Sequence, residues 1–302
     1  MIDGRFETCV RVFFKLAKKT APMYWPTLGA SPVFVPRHYG WYSVYDDKRY
    51  VTKYATLGSG HQHARQIDMS DGVNEFGLAV QKLTLTNGSQ LVETPGEDKI
   101  HLAPFELSFF LLSNYRSVED IEAHVEEIEL MADKYSLMKY GHSELHFAAS
   151  DPTGRIVVIE PVTTPIEMIE NPLGVLTNSN HFGRQIEKLN KYLDFTPDFM
   201  NGTVPLNTPR VTTGNVSGKS IPPGSYSPGS RFIRAAYLKE RIDVPGNEMK
   251  PLITAGICWM QLMCQRVRNT SRLIPSTGRP FVVKAATTTI SHIMPSRSPK
   301  FS

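Results

Sequence analysis

The segment LHFAASDPTGRIVVIEP (145–161) constrains the fold more than any other part of the chain. It reads as a β-hairpin, with Phe147 on one arm, Asp151-Pro152-Thr153-Gly154 as the turn, and Ile156 to Ile159 as a strand without polar alternation. An apolar run of that kind belongs to a buried strand, so the hairpin requires a sheet covered by other layers. Upstream, DGVNEFGLAVQKLTL (71–85) opens with a turn signal and then alternates Leu78, Val80 and Leu83 imperfectly with polar residues. That pattern predicts a strand with one buried face, fed by a turn containing Asn74 and Gly77. PVFVPR (32–37) and YVTKYATLG (50–58) read as further strands.

Two helices are predicted between these strands. One runs from about Pro104 to Asn114 and is rich in Phe and Leu; the second is opened by Ser117, whose hydroxyl can cap the amides of Glu119 and Asp120. Val118, Ile121, Val125 and Ile128 follow at helical spacing, and the acidic face opposite them reads as solvated. The segment ending at Leu176 reads as another strand, with Asn178 at its tip. Residues 200–230 are rich in Pro, Gly, Thr and Ser and predict a long loop. Arg231 then opens a helix with Phe232, Ala235, Ala236 and Leu238 available to one face. Strands and helices interleaved in this way predict one domain with a helix-covered sheet.

Charge narrows the partners. The apparent pI of 8.8 suggests a basic protein, but residues 251–302 hold seven Lys or Arg and no acid, which leaves 26 basic against 29 acidic residues before them. The basic character belongs to the tail, so nucleic acid is not an expected partner of the whole chain. Cys9, Cys258 and Cys264 form no C-x-x-C pair, which argues against a zinc site and a disulfide framework and for a reducing compartment. His61-Gln62-His63 brings two imidazoles together without a third ligand nearby, so no metal and no cofactor are expected. TGNVSGKS (213–220) is one residue short of a phosphate-binding loop. With no signal-peptide pattern and no apolar run of membrane-spanning length, the chain is expected in the cytoplasm, without a membrane partner.

Four segments carry a resemblance: VPRHYGW (35–41), DGVNEFGLA (71–79), GVLTNS (174–179) and SPGSRFIRAA (227–236). In that order and spacing, over about residues 32–241, they resemble the choloylglycine hydrolase family, which includes bile salt hydrolases and penicillin V acylases. The resemblance implies an α+β fold, the four-layer αββα sandwich of N-terminal-nucleophile hydrolases. It implies hydrolysis of a linear amide C–N bond by an N-terminal cysteine whose own α-amino group takes up the proton, a group suited to that task because it titrates near pH ~7.7–8. The substrate would be a small amide such as a conjugated bile salt or penicillin V, and the assembly a homo-tetramer. Asn178 matches the family asparagine that donates to the oxyanion, and Arg231 matches the arginine that stabilises charge near the cysteine. Thr84 falls where the family carries a substrate-pocket residue that differs between its two activities.

The ends of the chain depart from the family pattern. A member begins Cys-Thr-Ser after its initiator methionine, whereas position 2 here is Ile and the first cysteine is Cys9, followed by Val10 and Arg11. Pro26-Thr27-Leu28-Gly29 stands where the family has an arginine and an aspartate. Cys9 can serve as nucleophile if eight residues are removed; without a nucleophile the chain would be a non-catalytic remnant, or a binding protein whose basic tail contacts anionic partners. The genetic code offers a third reading. If the third base of each codon is joined to the first two of the next, Met23-Tyr24-Trp25-Pro26 can only become Val-Leu-Ala, which the family places before its arginine. Residues 9–25 then permit Met-Cys-Thr-Ser, and Ile257-Cys258-Trp259-Met260-Gln261 becomes Leu or Met followed by Leu-Asp-Ala. These expectations divide the chain into a hydrolase domain over residues 1–250 and an atypical, poorly ordered, frame-slipped tail over 251–302.

Overall fold

The computed structural model describes residues 31–63, 65–85, 88–132, 144–178, 180–192, 223–225 and 227–240, and the backbone alone for 10–16, 19–23, 203–204, 216–217 and 241. Strands β1 (Val10–Leu16) and β2 (Lys19–Met23) come first, then β3 (Ser31–Val35), the short β4 (Gly40–Tyr42) and β5 (Arg49–Val51), and the longer β6 (Thr56–Gln62), β7 (Ile67–Asn74) and β8 (Ala79–Thr84). Next are β9 (Ile100–Leu102), a tight 3-10 turn over Pro104–Glu106, helices α1 (Leu107–Asn114) and α2 (Val118–His124), a second 3-10 turn over Val125–Glu127, and β10 (Ile128–Leu130). Then β11 (Leu145–Ser150), β12 (Ile156–Glu160), β13 (Glu167–Glu170) and β14 (Val175–Thr177) precede α3 (Phe182–Asn190). Strands β15 (Thr203–Val204) and β16 (Val216–Ser217) and helix α4 (Pro228–Arg241) follow.

A seven-stranded antiparallel sheet in the order β13-β12-β11-β8-β7-β6-β3 forms the centre, and β14-β1-β2 make a smaller sheet. Two apolar cores show how the layers stack. On one face of the large sheet, Val80, Phe147, Ala149, Val157 and Ile159 pack with Phe109, Leu112, Val118 and Ile121 of α1 and α2. On the other, Leu83, Ala148, Ile156 and Val158 pack with Val175 and Leu176 of β14 and with Phe182, Leu189, Phe232 and Ile233 of α3 and α4. The order is therefore helix, sheet, sheet, helix, the αββα arrangement that the family resemblance implied. Each fully buried Phe, Leu, Ile or Val contributes on the order of 1.5–3 kcal/mol. The apolar run 156–159 is used on both faces, as a strand sandwiched between two cores must be.

Local chemistry fixes the central hairpin. Gly154 takes φ +90° and its amide donates to the Asp151 carbonyl at 3.0 Å, while Asp151 Oδ1 accepts from the Thr153 amide at 2.9 Å. Gly77 at φ +84° closes the turn from β7 to β8, and a Cβ there would meet the Pro152 ring at 2.7 Å. Four expectations change. Asp71 and Gly72 lie inside β7 and are not part of a turn, because Asp71 is held on the inner face between Ser59 and Gln81 across the ladder. The α2 segment ends at His124, and Ile128 begins a strand paired in parallel with Ile100; all four apolar positions are nevertheless buried. YVTKYATLG is divided between β5 and β6. Helix α4 starts at Pro228, three residues before Arg231. Of the predicted 200–230 loop, the described parts include the two-residue pair β15 and β16; the 251–302 tail lies outside the described residues.

Candidate active site

Asn178 follows the last residue of β14, and the chain before it is shaped by another asparagine. Asn171 Oδ1 accepts from the Gly174 amide at 3.0 Å and its Nδ2 donates to the Val175 carbonyl at 3.2 Å, a side-chain turn that launches the strand. Val175, Leu176 and Thr177 are buried throughout. Opposite this strand runs β1, whose first residue, Val10, pairs with Thr177.

Arg231 reaches the same place from α4. The helix is opened by Ser227, whose carbonyl accepts from the Arg231 amide at 3.0 Å and whose Oγ accepts from the Ser230 amide at 3.4 Å, as a cap residue does. Thr177 Oγ1 donates to the Pro228 carbonyl at 3.1 Å, which ties the strand end to the helix start. Arg231 is only 3% exposed and Asn178 6%, and Arg231 Nη2 donates to Asn178 Oδ1 at 3.2 Å. A guanidinium this deep requires hydrogen-bond acceptors, and the Asn178 oxygen is one of them. With that oxygen turned to the arginine, the Nδ2 donor of the carboxamide points the other way.

Sequence reasoning missed three buried polar residues: Gln185, which touches the residues on either side of Asn178, and the Glu160–His146 pair, which holds the start of α3. Gln185, 1% exposed, donates from Nε2 to the carbonyls of Thr177 and Asn180, each at 3.0 Å. Glu160 accepts from the amide of Phe182 with both carboxylate oxygens, at 2.9 and 3.2 Å, and its Oε1 lies 3.0 Å from His146 Nδ1. The signal for Gln185 was readable: Phe182, Gln185 and Leu189 share the buried stripe of α3, and an amide on such a stripe needs polar partners.

Thr84 lies at the end of β8, half-buried and paired with Leu145. Strand alternation puts it on the face opposite Leu83, so it shares the α1 side of the sheet with Leu145 and Lys82. Asn178 and Arg231 are thus brought into contact, whereas Thr84 stands apart on the other face. Cys9 lies outside the described residues, as do all of TGNVSGKS except Val216 and Ser217. Among the described residues no group of three or more His, Cys, Asp or Glu could hold a metal ion, and no helix is long and apolar enough to cross a membrane. A cleft of about 540 Å³ opens on the α1 side between Tyr50, Tyr54, Tyr115 and Arg116; it is lined by none of Thr84, Asn178 and Arg231.

Comparison with known proteins places the chain in a family. Residues 24–255 match the family model for linear amide C–N hydrolases of the choloylglycine hydrolase family. The chain is 29% identical over 214 residues to a bile salt hydrolase/transferase of Clostridium perfringens, covering 70% of this chain and 64% of that protein. It is 23% identical over 239 residues to a penicillin V acylase of Pectobacterium atrosepticum, covering 77% of this chain and 57% of that protein. The matched regions thus span less than two thirds of these relatives' length. In three dimensions it is similar to a mutant of the conjugated bile acid hydrolase of Clostridium perfringens, with a TM-score of 0.68 at 22% identity over 85% of this chain and 79% of the other. This chain belongs to the choloylglycine hydrolase family of linear amide C–N hydrolases.

Proposed function

We propose that this protein hydrolyses the amide bond of a small N-acyl compound, a conjugated bile salt or penicillin V, with Asn178 as oxyanion donor, Arg231 as the group that holds it, and Cys9 as nucleophile once residues 1–8 are removed. The observation that carries the reading is the buried contact between Arg231 Nη2 and Asn178 Oδ1 at 3.2 Å. It lies at the edge where β1 begins, and the residue before Val10 in the sequence is Cys9.

The chemistry follows from those positions. The thiol proton of Cys9 passes to its newly freed α-amino group, which titrates near pH ~7.7–8. Sγ bonds to the carbonyl carbon, and the carbonyl electrons move onto oxygen. The Nδ2 donor of Asn178 receives that oxyanion, an interaction worth ~2.7–4 kcal/mol in such sites. When the oxyanion collapses, the C–N bond breaks and the leaving nitrogen takes the proton back from the α-ammonium. Water then cleaves the thioester and regenerates the thiol.

The test is the intact mass of the protein from its native source, measured with release of glycine or taurine from conjugated bile salts and hydrolysis of penicillin V. A mass for a chain beginning with cysteine, together with turnover of one substrate, supports the reading and names the acyl group. A mass matching all 302 residues with no turnover overturns it and identifies a non-catalytic relative.

A further inference from the structure

We propose that Gln185 is the positioning residue for Asn178, and that it sets the direction from which the Asn178 carboxamide meets the reacting carbonyl oxygen. This rests on the reading of Asn178 as an oxyanion donor.

The Gln185 side chain hydrogen-bonds both described residues that bracket Asn178. Its Oε1 accepts from the amide of Thr177 at 3.2 Å and from Thr177 Oγ1 at 3.2 Å. Its Nε2 donates to the carbonyls of Thr177 and Asn180 at 3.0 Å each. The Thr177 hydroxyl has a single proton, which Gln185 Oε1 shares with the Pro228 carbonyl. One end of the Gln185 carboxamide therefore fixes where β14 stops, and the other fixes where the chain turns back. The turn needs such support, because Asn180 sits at φ +64°, a left-handed conformation that persists where surrounding contacts determine it.

The clamp is itself anchored. Glu160 holds the first amide of α3 with both carboxylate oxygens and meets His146 at 3.0 Å, while Phe182 and Leu189 bury the same face of the helix. Gln185 projects from that fixed helix onto the Asn178 turn. Arg231 then orients the side chain of Asn178, and Gln185 holds the backbone from which it springs. Catalytic donors are sensitive to placement, and an error of about 1 Å can cost roughly a hundredfold in rate.

The test compares wild type from which residues 1–8 have been removed, as the proposed function requires, with Gln185→Leu, Gln185→Glu, Asn178→Ala and the double variant Asn178→Ala/Gln185→Leu in the same form, on whichever of glycocholate or penicillin V the wild type hydrolyses. Gln185→Leu is expected to lower kcat by about a hundredfold with KM nearly unchanged. The double variant is expected to lose no more than Asn178→Ala alone, because both changes disable one donor. Losses that add in the double variant overturn the proposal. If Gln185→Leu fails to fold, Gln185→Glu decides: its kcat should recover toward acid pH, where the protonated carboxyl again donates a hydrogen bond, and a profile parallel to wild type overturns the proposal. If the wild type hydrolyses neither substrate, the catalytic reading fails separately and NMR decides the clamp. The Asn178 side-chain amide signal, assigned by its loss in Asn178→Ala, should shift in Gln185→Leu or Gln185→Glu while that of Asn171 does not. An unmoved Asn178 signal, or equal movement of both, overturns it.

Discussion

Glu160 and His146 face each other at 3.0 Å where neither side chain is more than 1% exposed. The same carboxylate receives the first amide of α3, so one acid joins β11, β12 and the helix that follows Asn178. Removing one member of such a buried set leaves its partners unsatisfied, at a cost of ~3–5 kcal/mol. Glu160→Leu should therefore lower unfolding stability by about that amount, read from denaturant midpoints. Glu160→Gln, which keeps an acceptor for Phe182, should fall between it and wild type. Equal stability of all three proteins would show that the contact contributes nothing.

Asn178→Ala removes the donor itself, and a loss of roughly 10²–10³ in kcat is expected, with little change in thermal midpoint. Arg231→Lys keeps the charge but not the planar fork that reaches Asn178 Oδ1. It should lose most of the activity while binding substrate nearly as well. Kinetics on the preferred substrate separate the two effects: a rise in KM with kcat intact in either variant would place the residue in binding and not in oxyanion stabilisation.

What the sequence disclosed and what it withheld divide along the range of the interactions. The hairpin turn at Asp151–Gly154 and the cap at Ser117, whose Oγ accepts from the Asp120 amide at 3.1 Å, are set by residues a few positions apart. Both were readable. Ile128 was misplaced because apolar spacing runs on unchanged through the 3-10 turn, whereas the strand that claims it depends on β9, distant in sequence. Asp71 looked like a turn residue because its burial depends on Ser59 and Gln81 in neighbouring strands. Asn178 and Arg231 are 53 positions apart; only the family resemblance could suggest that they meet, and nothing local pointed to Glu160 as the residue that anchors α3.

Acid should weaken the fold through Glu75. Arg37 grips its carboxylate with Nε at 2.7 Å and Nη2 at 2.5 Å, and the Ala55 amide donates to it at 2.8 Å. The arginine bond, then the amide, pull the carboxyl from its ordinary 4.5 down to about 2. A depressed carboxylate stabilises the fold fully above its unfolded value, so this contribution is intact above about pH 4.5 and is lost as pH falls through about 2. Glu75→Gln should differ from wild type by a constant amount above pH 4.5, and the difference should shrink toward pH 2. A difference independent of pH across that window would remove Glu75 as its source.

The ends of the chain yield the last prediction. β1 begins at Val10 and pairs its first three residues with β14, so the head of β1 meets the strand that carries Asn178. In the neighbouring reading frame the codons of Thr8, Cys9 and Val10 permit a methionine followed by a cysteine, and Met23-Tyr24-Trp25-Pro26 yields Val-Leu-Ala without any freedom of choice. A nucleophile generated there would stand at the start of the strand whose pairing leads to the oxyanion donor, with no cleavage beyond removal of the initiator. The same slip over residues 257–261 restores Leu-Asp-Ala in the tail. On this alternative to the cleavage that frees Cys9, reads of the gene and its transcript from the native source place residues 9–25 and the region past 250 in that frame, and the corrected protein hydrolyses the substrate without further processing. Reads that keep all 302 codons in one frame would rule out the slip and return the question of activity to Cys9 and the removal of residues 1–8.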